Sequence, residues 1–443
     1  MRGQCASAEA EVVAEAAVAA LGEHAGVLGR VSGGNILECF ASVADPRDRR
    51  GIRHRLPTIL GLCVAAVLSG SKTLVDITDW IKVASQQVLA AFDARRDRDG
   101  VYHPPSRDTV TRLFAALGAQ GLADGVGAWL AGEARLGPVA FPVAGPVLLP
   151  GVGFDGKAMR GAIGEDGQIP YLLAAATHGT GSVVIAERLV GAKSNEVPSV
   201  EPLLRQIGPA LAGCVLTMDA LHTVRSHAEL IVGELTAHYV MTVKENTPNL
   251  FNRIDAIDWA VVPVAHTTTE VGHGRQEKRT IQVVDAPEDL GFPHAAQVFL
   301  IERYITRTVR RRVKDKGKGE RKYKKVRVKS AVAVLGVTSL SSREAAPEHL
   351  ATYVRGHWSI ENKIHWVRDV TFNEDASQIK TGSRPRVMAT LRNLVIGLIR
   401  QAGHTKIAAT IRHIRNNPHL LLPILGLSQP QNTPSDQHKR LCA

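Results

Sequence analysis

Between Asn35 and Arg135 apolar positions recur at three- and four-residue intervals, and Ile36 to Ala44, Pro57 to Ser69, Leu74 to Phe92 and Arg107 to Leu117 read as helices. Pro57 suits a first helical turn, and Ser106 can cap the last helix. Together they predict a helical domain over residues 34–136, behind a loosely ordered, Ala-rich helical N-terminus over residues 1–33. Pro138, Pro142, Pro146 and Pro150 then interrupt residues 137–150, which cannot continue a helix and read as a linker.

Beyond Pro150 the period changes. Short apolar runs predict strands over Val152 to Asp155, Tyr171 to Thr177 and Val183 to Leu189. A helix over Val197 to Ile207, a strand over Cys214 to Asp219, a helix over Val224 to Leu235 and a strand over Tyr239 to Lys244 follow. Three consecutive strands followed by strand–helix units predict an α/β fold with a ribonuclease-H-like catalytic core, residues 151–245 and 345–402, preceded by the all-helical N-terminal domain. A β-rich insertion, residues 246–344, interrupts that core. Its candidate strands are Thr267 to Thr269, Arg279 to Val284, Val298 to Thr306 and Ser330 to Thr338. Helices over Glu348 to Asp369, Val387 to Ala402 and Lys406 to Asn416 follow, and residues 403–443 end in a polar tail that reads as disordered from Ser428.

A chain of 443 residues predicts two or three domains. Its longest uncharged apolar run, Ile59 to Leu68, is roughly half of what a membrane span needs, so it predicts a core helix. Glu9, Glu11, Glu15 and Glu23 break the basic-then-apolar pattern of a secretion signal, and a cytoplasmic, nucleoid-associated protein is expected. Cys5, Cys39, Cys63, Cys214 and Cys442 show no metal-ligand or redox spacing.

The net charge of +12 is placed unevenly, because residues 307–329 carry thirteen lysines and arginines against Asp315 and Glu320, a net of +11. Such a run can be a solvated loop. Here Val309, Val313, Val326 and Val328 fall at strand-like intervals around Lys316-Gly-Lys-Gly319, which predicts a twisted hairpin with a basic tip. Arg310, Arg311 and Arg312 would lie along phosphates with little sequence preference.

Three acids stand in contrasting settings: Asp155 in GVGFDGKAMRG, Asp219 in VLTMDALHT and Glu361 in RGHWSIENKIHW. Two strand-end carboxylates and one helical carboxylate can complete a cage of hard oxygen ligands such as Mg2+ prefers, which points to phosphoryl transfer on nucleic acid. Each has a plainer reading: a turn acid before Gly156, a helix cap at Asp219, and a salt-bridged helix face at Glu361. Asp369, Glu374 and Asp375 are rivals of Glu361. At helical spacings of four, four and three, His357, Glu361, His365 and Arg368 share one face, which rings the acid with groups able to touch phosphate, and His357 and Arg368 are expected to contact DNA.

The words DGKAMRGA, KSNEVP, TMDALHT, YVMTVKEN, GHGRQEKR and RGHWSIENKIHWVRDVTFNEDASQ, in this order, resemble the insertion-sequence transposases of the DDE type. They are most similar to the branch containing the H-repeat-associated proteins, over about residues 35–420. DPRDRRGIRHRL and PSRDTVTRLF resemble the helical domain preceding that catalytic core. The resemblance implies Asp155, Asp219 and Glu361 as catalytic metal ligands, Mg2+ with Mn2+ as substitute, double-stranded DNA at inverted-repeat ends and target, and a dimer when two ends are synapsed. It also implies DNA contacts for Lys157, Arg160, Lys193, Lys244, Asn246 and Arg275, for each of which plain surface charge is the alternative.

The Tyr, Arg, Glu, Lys signature of related transposases is altered: His357 stands at the Arg position, Arg368 at the Lys position, and Tyr353 is one residue out of register. His273 and Glu277 could form a metal-proximal pair, although Gly272 and Gly274 favour a hairpin turn. Trp358 and Trp366 could stack on a base, with core packing the favoured alternative. Arg107 and Arg112, with the patch Arg47, Arg49, Arg50, Arg53 and His54, are candidate N-terminal DNA contacts. A domesticated, non-catalytic DNA-binding relative is the alternative function. A small-molecule phosphohydrolase starting at FDGK is disfavoured, since no second Asp stands two residues after Asp155.

Overall fold

The computed structural model describes residues 34–134, 136, 146–163, 167–190, 196–272, 274–313 and 322–428, with residues 311–313 and 322–323 described by backbone alone. The N-terminal helices are α1 (Ile36–Cys39), α2 (Leu56–Leu68), α3 (Leu74–Lys82), α4 (Gln86–Ala91), α5 (Arg107–Ala116) and α6 (Ala119–Glu133). The expected single helix from Leu74 to Phe92 is two, because Ser85 opens a new helix by capping the amide of Val88. Helix α6 was not predicted: eight alanines and glycines among its fifteen residues dilute its apolar period.

The sheet begins with β1 (Gly151–Ala158), β2 (Tyr171–Thr177) and β3 (Val184–Val190). Helix α7 (Glu196–Ile207), strand β4 (Val215–Met218), helix α8 (Arg225–Glu229) and strand β5 (His238–Val243) follow, then helix α9 (Pro248–Asp255). Strands β1, β2 and β3 pair antiparallel in turn, whereas β4 pairs parallel to both β1 and β5. Strands β6 (His266–Gly272), β7 (Arg275–Asp285), β8 (Gln297–Val313) and β9 (Lys322–Thr338) come from the expected insertion. They extend the same sheet, with β9 antiparallel to β5, giving the nine-stranded order β3-β2-β1-β4-β5-β9-β8-β7-β6. β8 and β9 stay paired from Gln297↔Thr338 to Val313↔Lys322, while β7 stops at Arg307, so the basic segment projects as a two-stranded ribbon.

The last helices are α10 (Pro347–His357), α11 (Trp366–Val370), α12 (Arg384–Gln401), α13 (Ile407–Asn416) and α14 (Leu421–Ile424). Between α10 and α11, residues Ile360–His365 form a wide π-type turn. No described helix is by itself long and apolar enough to cross a membrane.

Every residue of α2 except Pro57 is buried, which explains a run apolar on all sides. Helix α2 packs on α12, and α6 packs on β3 and α12. A single apolar cluster runs from Ile36 through the sheet to Leu425. The N-terminal helices therefore share the core of the sheet. An isolated 34–136 fragment, lacking α12, is expected to show no cooperative unfolding and to bind a hydrophobic dye; a sharp thermal transition by circular dichroism would contradict this.

Candidate active site at the β1–β4 edge

The parallel pairing of β1 with β4 ends at Gly153↔Thr217. Asp155 and Asp219 lie two residues beyond these partners, so the period-2 alternation of strands sets the two acids on one face at neighbouring positions. Asp155 sits within β1, two residues past its last pairing with β4, and Asp219 immediately follows β4. Its carboxylate accepts the amide of Leu221 at 3.0 Å, so the capping role read from the sequence is present.

Above these strands runs the helical path from α10 to α11. His365 Nδ1 lies 3.2 Å from Asp155 Oδ2. Burial opposes the charge on Asp155, but this histidine, the nearby His357 and the amide of Gly156 hold its carboxyl below the usual carboxylate range. Glu361 is exposed and lines, with Asp155, His365, Trp366, Asp369 and Asp375, a cleft of about 450 Å3. Asp219 stands outside that lining and is exposed. All three expected acids nevertheless act on one group: burial drives the His357 ring toward its neutral form, while Asp155, Asp219 and Glu361 each pull it the other way.

The carboxylates are hard oxygen donors, the kind Mg2+ and Mn2+ take. Among the described residues, no three acidic, histidine or cysteine side chains already form a closed cage for a metal ion. The set suits such an ion in chemical type and in its convergence on one edge of the sheet, with the cluster open.

The expected helix face is altered by the π-type turn, whose i→i+5 bonding shifts the phase of a 3.6-residue helix. His365 is consequently turned inward onto Asp155, and Arg368 is fully buried. The expectation that Arg368 meets phosphate is corrected on that ground: its guanidinium lies 2.6 Å from Glu374, which Arg392 also holds at 2.9 Å. Lys157 is also buried, with its ammonium 2.7 Å from Asp369 and 3.4 Å from Asp375. Arg160 is exposed at the rim, 3.5 Å from Asp375.

Lys244 and Asn246 are exposed beyond β5, and Asn246 donates to the carbonyl of Ala220 at 2.7 Å, bracing the loop that carries Asp219. Arg275 is exposed and 3.4 Å from buried Glu277, which Arg279 and Arg303 also hold. Gly272↔Arg275 closes a hairpin, as the glycines suggested. Arg310 is exposed on the ribbon, and Arg311 and Arg312 belong to β8. Lys193 and His273 lie outside the described residues.

Trp358 and Trp366 are 55% and 56% exposed, so the core packing expected of them is replaced by display at the surface, with Trp366 lining the cleft beside Glu361. Arg107, Arg112, Arg49, Arg50 and Arg53 are exposed. Arg47 is bound by Asp45 at 2.6 Å, and His54 is buried.

Sequence reasoning missed Thr217, His222 and His178. Thr217 carried a signal, since the β-strand period places it on the face of Asp219. His222 is buried one short turn after Asp219, 4.0 Å from Glu196.

The Transposase DDE domain family matches residues 154–398, and a DDE_Tnp_1-associated family matches residues 37–130. The chain is 25% identical over 386 residues to a protein of Escherichia coli O157:H7 named "Putative transposase YncI", covering 84% of this chain and 89% of that one. It is 24% identical over 376 residues to the "H repeat-associated putative transposase YhhI" of Escherichia coli strain K12, covering 82% and 90%. A third relative, an uncharacterized protein in the dhlA 3' region of Xanthobacter autotrophicus, is 29% identical over 252 residues, covering 56% and 79%.

Proposed function

The chain belongs to the Transposase DDE domain family, and from that premise we propose that it is the transposase of a bacterial insertion sequence, cutting DNA at the element ends and joining the freed 3'-hydroxyl to target DNA. The observation that carries the chemistry is the placement of Asp155 and Asp219 at neighbouring positions just past the β1–β4 pairing, with Glu361 lining the same cleft as Asp155. The order β3-β2-β1-β4-β5, with β2 alone reversed among its immediate neighbours, supports a ribonuclease-H-like core.

Asp155, Asp219 and Glu361 would hold Mg2+, or Mn2+ in its place, which when bound polarises the phosphate and makes a bound water or hydroxyl a better nucleophile. The protein's own contributions are separable. His365 fixes the Asp155 carboxylate and keeps it ionised. The Leu221 amide orients Asp219, Asn246 steadies the loop behind it, and exposed Arg160 at the rim is free to meet a phosphate beyond its pairing with Asp375.

The ribbon would supply sequence-independent affinity. Arg310 stands directly opposite Lys325, and Arg311 opposite Lys324. Like charges placed opposite one another destabilise a strand pair until a polyanion neutralises them. Replacing Arg310, Lys325 and Arg327 by Ala is expected to weaken DNA binding evenly across sequences, lowering the slope of log affinity against log salt by about 1 for each phosphate no longer neutralised. An unchanged slope would remove the ribbon from the interface. Synapsis of two ends implies a dimer at work.

The direct test is incubation of the full chain with DNA flanking its own locus and Mn2+, with every nick mapped. Nicks at fixed positions bordering the element support the proposal. Salt-sensitive binding without cutting would favour the domesticated DNA-binding alternative.

A further inference from the structure

His178 is a half-buried residue that follows β2, and its backbone amide donates to the Gly151 carbonyl at 2.8 Å. Its ring is held well below the usual imidazole range, to about 3, by that burial. Its Nε2 lies 2.8 Å from the hydroxyl of Thr217. Thr217 in turn meets His357, whose Nδ1 is 3.2 Å from the Thr217 carbonyl oxygen and 3.3 Å from its hydroxyl. A methyl group at either Gly151 or Gly356 would collide with the His178 ring. The glycine that opens β1 and the one just before His357 are thus what lets this ring fit between strand and helix.

The chemistry of the contact fixes a proton. A carbonyl oxygen only accepts, so the 3.2 Å contact calls for the ring hydrogen of His357 on Nδ1, with the Thr217 hydroxyl turned to donate to His178; in the neutral ring this leaves Nε2 with a bare lone pair. A ring in that state has no second N–H to offer a phosphate.

We infer that Thr217 and His178 are positioning residues that lock His357 as its Nδ1–H tautomer, so that its bare Nε2 accepts a hydrogen bond from the attacking water or 3'-hydroxyl. The role of the acceptor rests on the transposase reading; the tautomer does not. Residue 357 then favours a hydroxyl over a phosphate oxygen, the opposite of what an arginine there would do.

Nitrogen NMR on the full chain carrying 15N-labelled histidine, at neutral pH without DNA or metal, tests the tautomer directly. The His357 signals, identified by their loss in His357→Gln, are expected to show Nδ1 protonated and Nε2 bare, and Thr217→Val, which keeps the carbonyl, to retain that tautomer while mobilising the ring. A protonated Nε2 in the unaltered protein would overturn the inference whether or not the protein cuts DNA. In the cleavage assay, Thr217→Val is expected to lower kcat about 10–100-fold, the usual loss for a partner that orients a site ligand, with KM for DNA unchanged. Thr217→Ser should restore the rate and His357→Arg should not. An active His357→Arg would make residue 357 a phosphate donor and sink the proposal.

Discussion

Glu361→Gln is expected to reduce metal-dependent DNA cleavage by about 1000-fold or more while leaving DNA affinity within a few-fold of the original. The substitution keeps the size and hydrogen-bonding reach of the side chain and removes only its charge. Because Glu361 is exposed at the cleft wall and carries no ion pair among the described residues, the fold loses little with it. Such a loss is about 4 kcal/mol of transition-state stabilisation, within the several kcal/mol a catalytic cation supplies. Asp155→Asn should behave alike, with the added effect of freeing His365. Asp369 and Asp375 line the same cleft and are the informative controls. Both are engaged by the Lys157 ammonium, and burial pushes Asp369 above the usual carboxylate range, so neither is as available for a cation. Asp375→Asn should therefore cut DNA nearly as well as the unaltered protein. Cleavage retained in Glu361→Gln and lost in Asp375→Asn would transfer the role to Asp375.

The strands of the α/β segment were legible because their apolar runs are short and bounded. Tyr171–Thr177 was legible to the residue, and β4 and β5 to within one at either end. The position of Asp219 just past β4 was legible for the same reason, whereas Asp155, expected to end its strand, lies inside β1, which runs on to Ala158 because it stays paired with β2. What sequence could not carry was phase and partnership. His365 follows Glu361 by four, a spacing that an ordinary helix turns to the same side; across the π-type turn over Ile360–His365 the first is buried and the second exposed, without any proline or glycine in the turn to announce it. Lys157 two residues after Asp155 looked like a surface cation, since nothing local says that Asp369 and Asp375, more than two hundred residues on, will surround it. The insertion strands were individually readable, yet the pairing of β9 with β5 is a long-range contact that local pattern does not encode. Conversely, the exposed Trp358 and Trp366 violate the usual burial of aromatics, and such violations gather where a surface is used.

Glu374→Gln is expected to lower stability by about 3–5 kcal/mol, which for a chain of this size is a fall in Tm of roughly 3–5 °C. Glu374 is buried against two guanidiniums, those of Arg368 and Arg392, themselves buried. Removing its charge strands both, and a buried charge without its counter-ion costs more than the pair ever contributed. Arg368 belongs to α11 and Arg392 to α12, so the loss should also loosen the helical path that presents Glu361, and cleavage should fall more steeply with temperature than in the unaltered protein. The pH dependence separates this from ordinary loss of packing. Burial opposes the charge on Glu374, but the two arginines hold its carboxyl down to about 2 from an ordinary 4.5. A depressed folded-state value means that the contribution is complete above about pH 4.5 and drains away as pH falls toward 2. The gap in Tm between the two proteins should therefore stay constant from neutral pH to about 4.5 and narrow below it. A gap that persists unchanged toward pH 2 would show that Glu374 acts through shape alone and that its ion pairs contribute nothing to holding Glu361 in place.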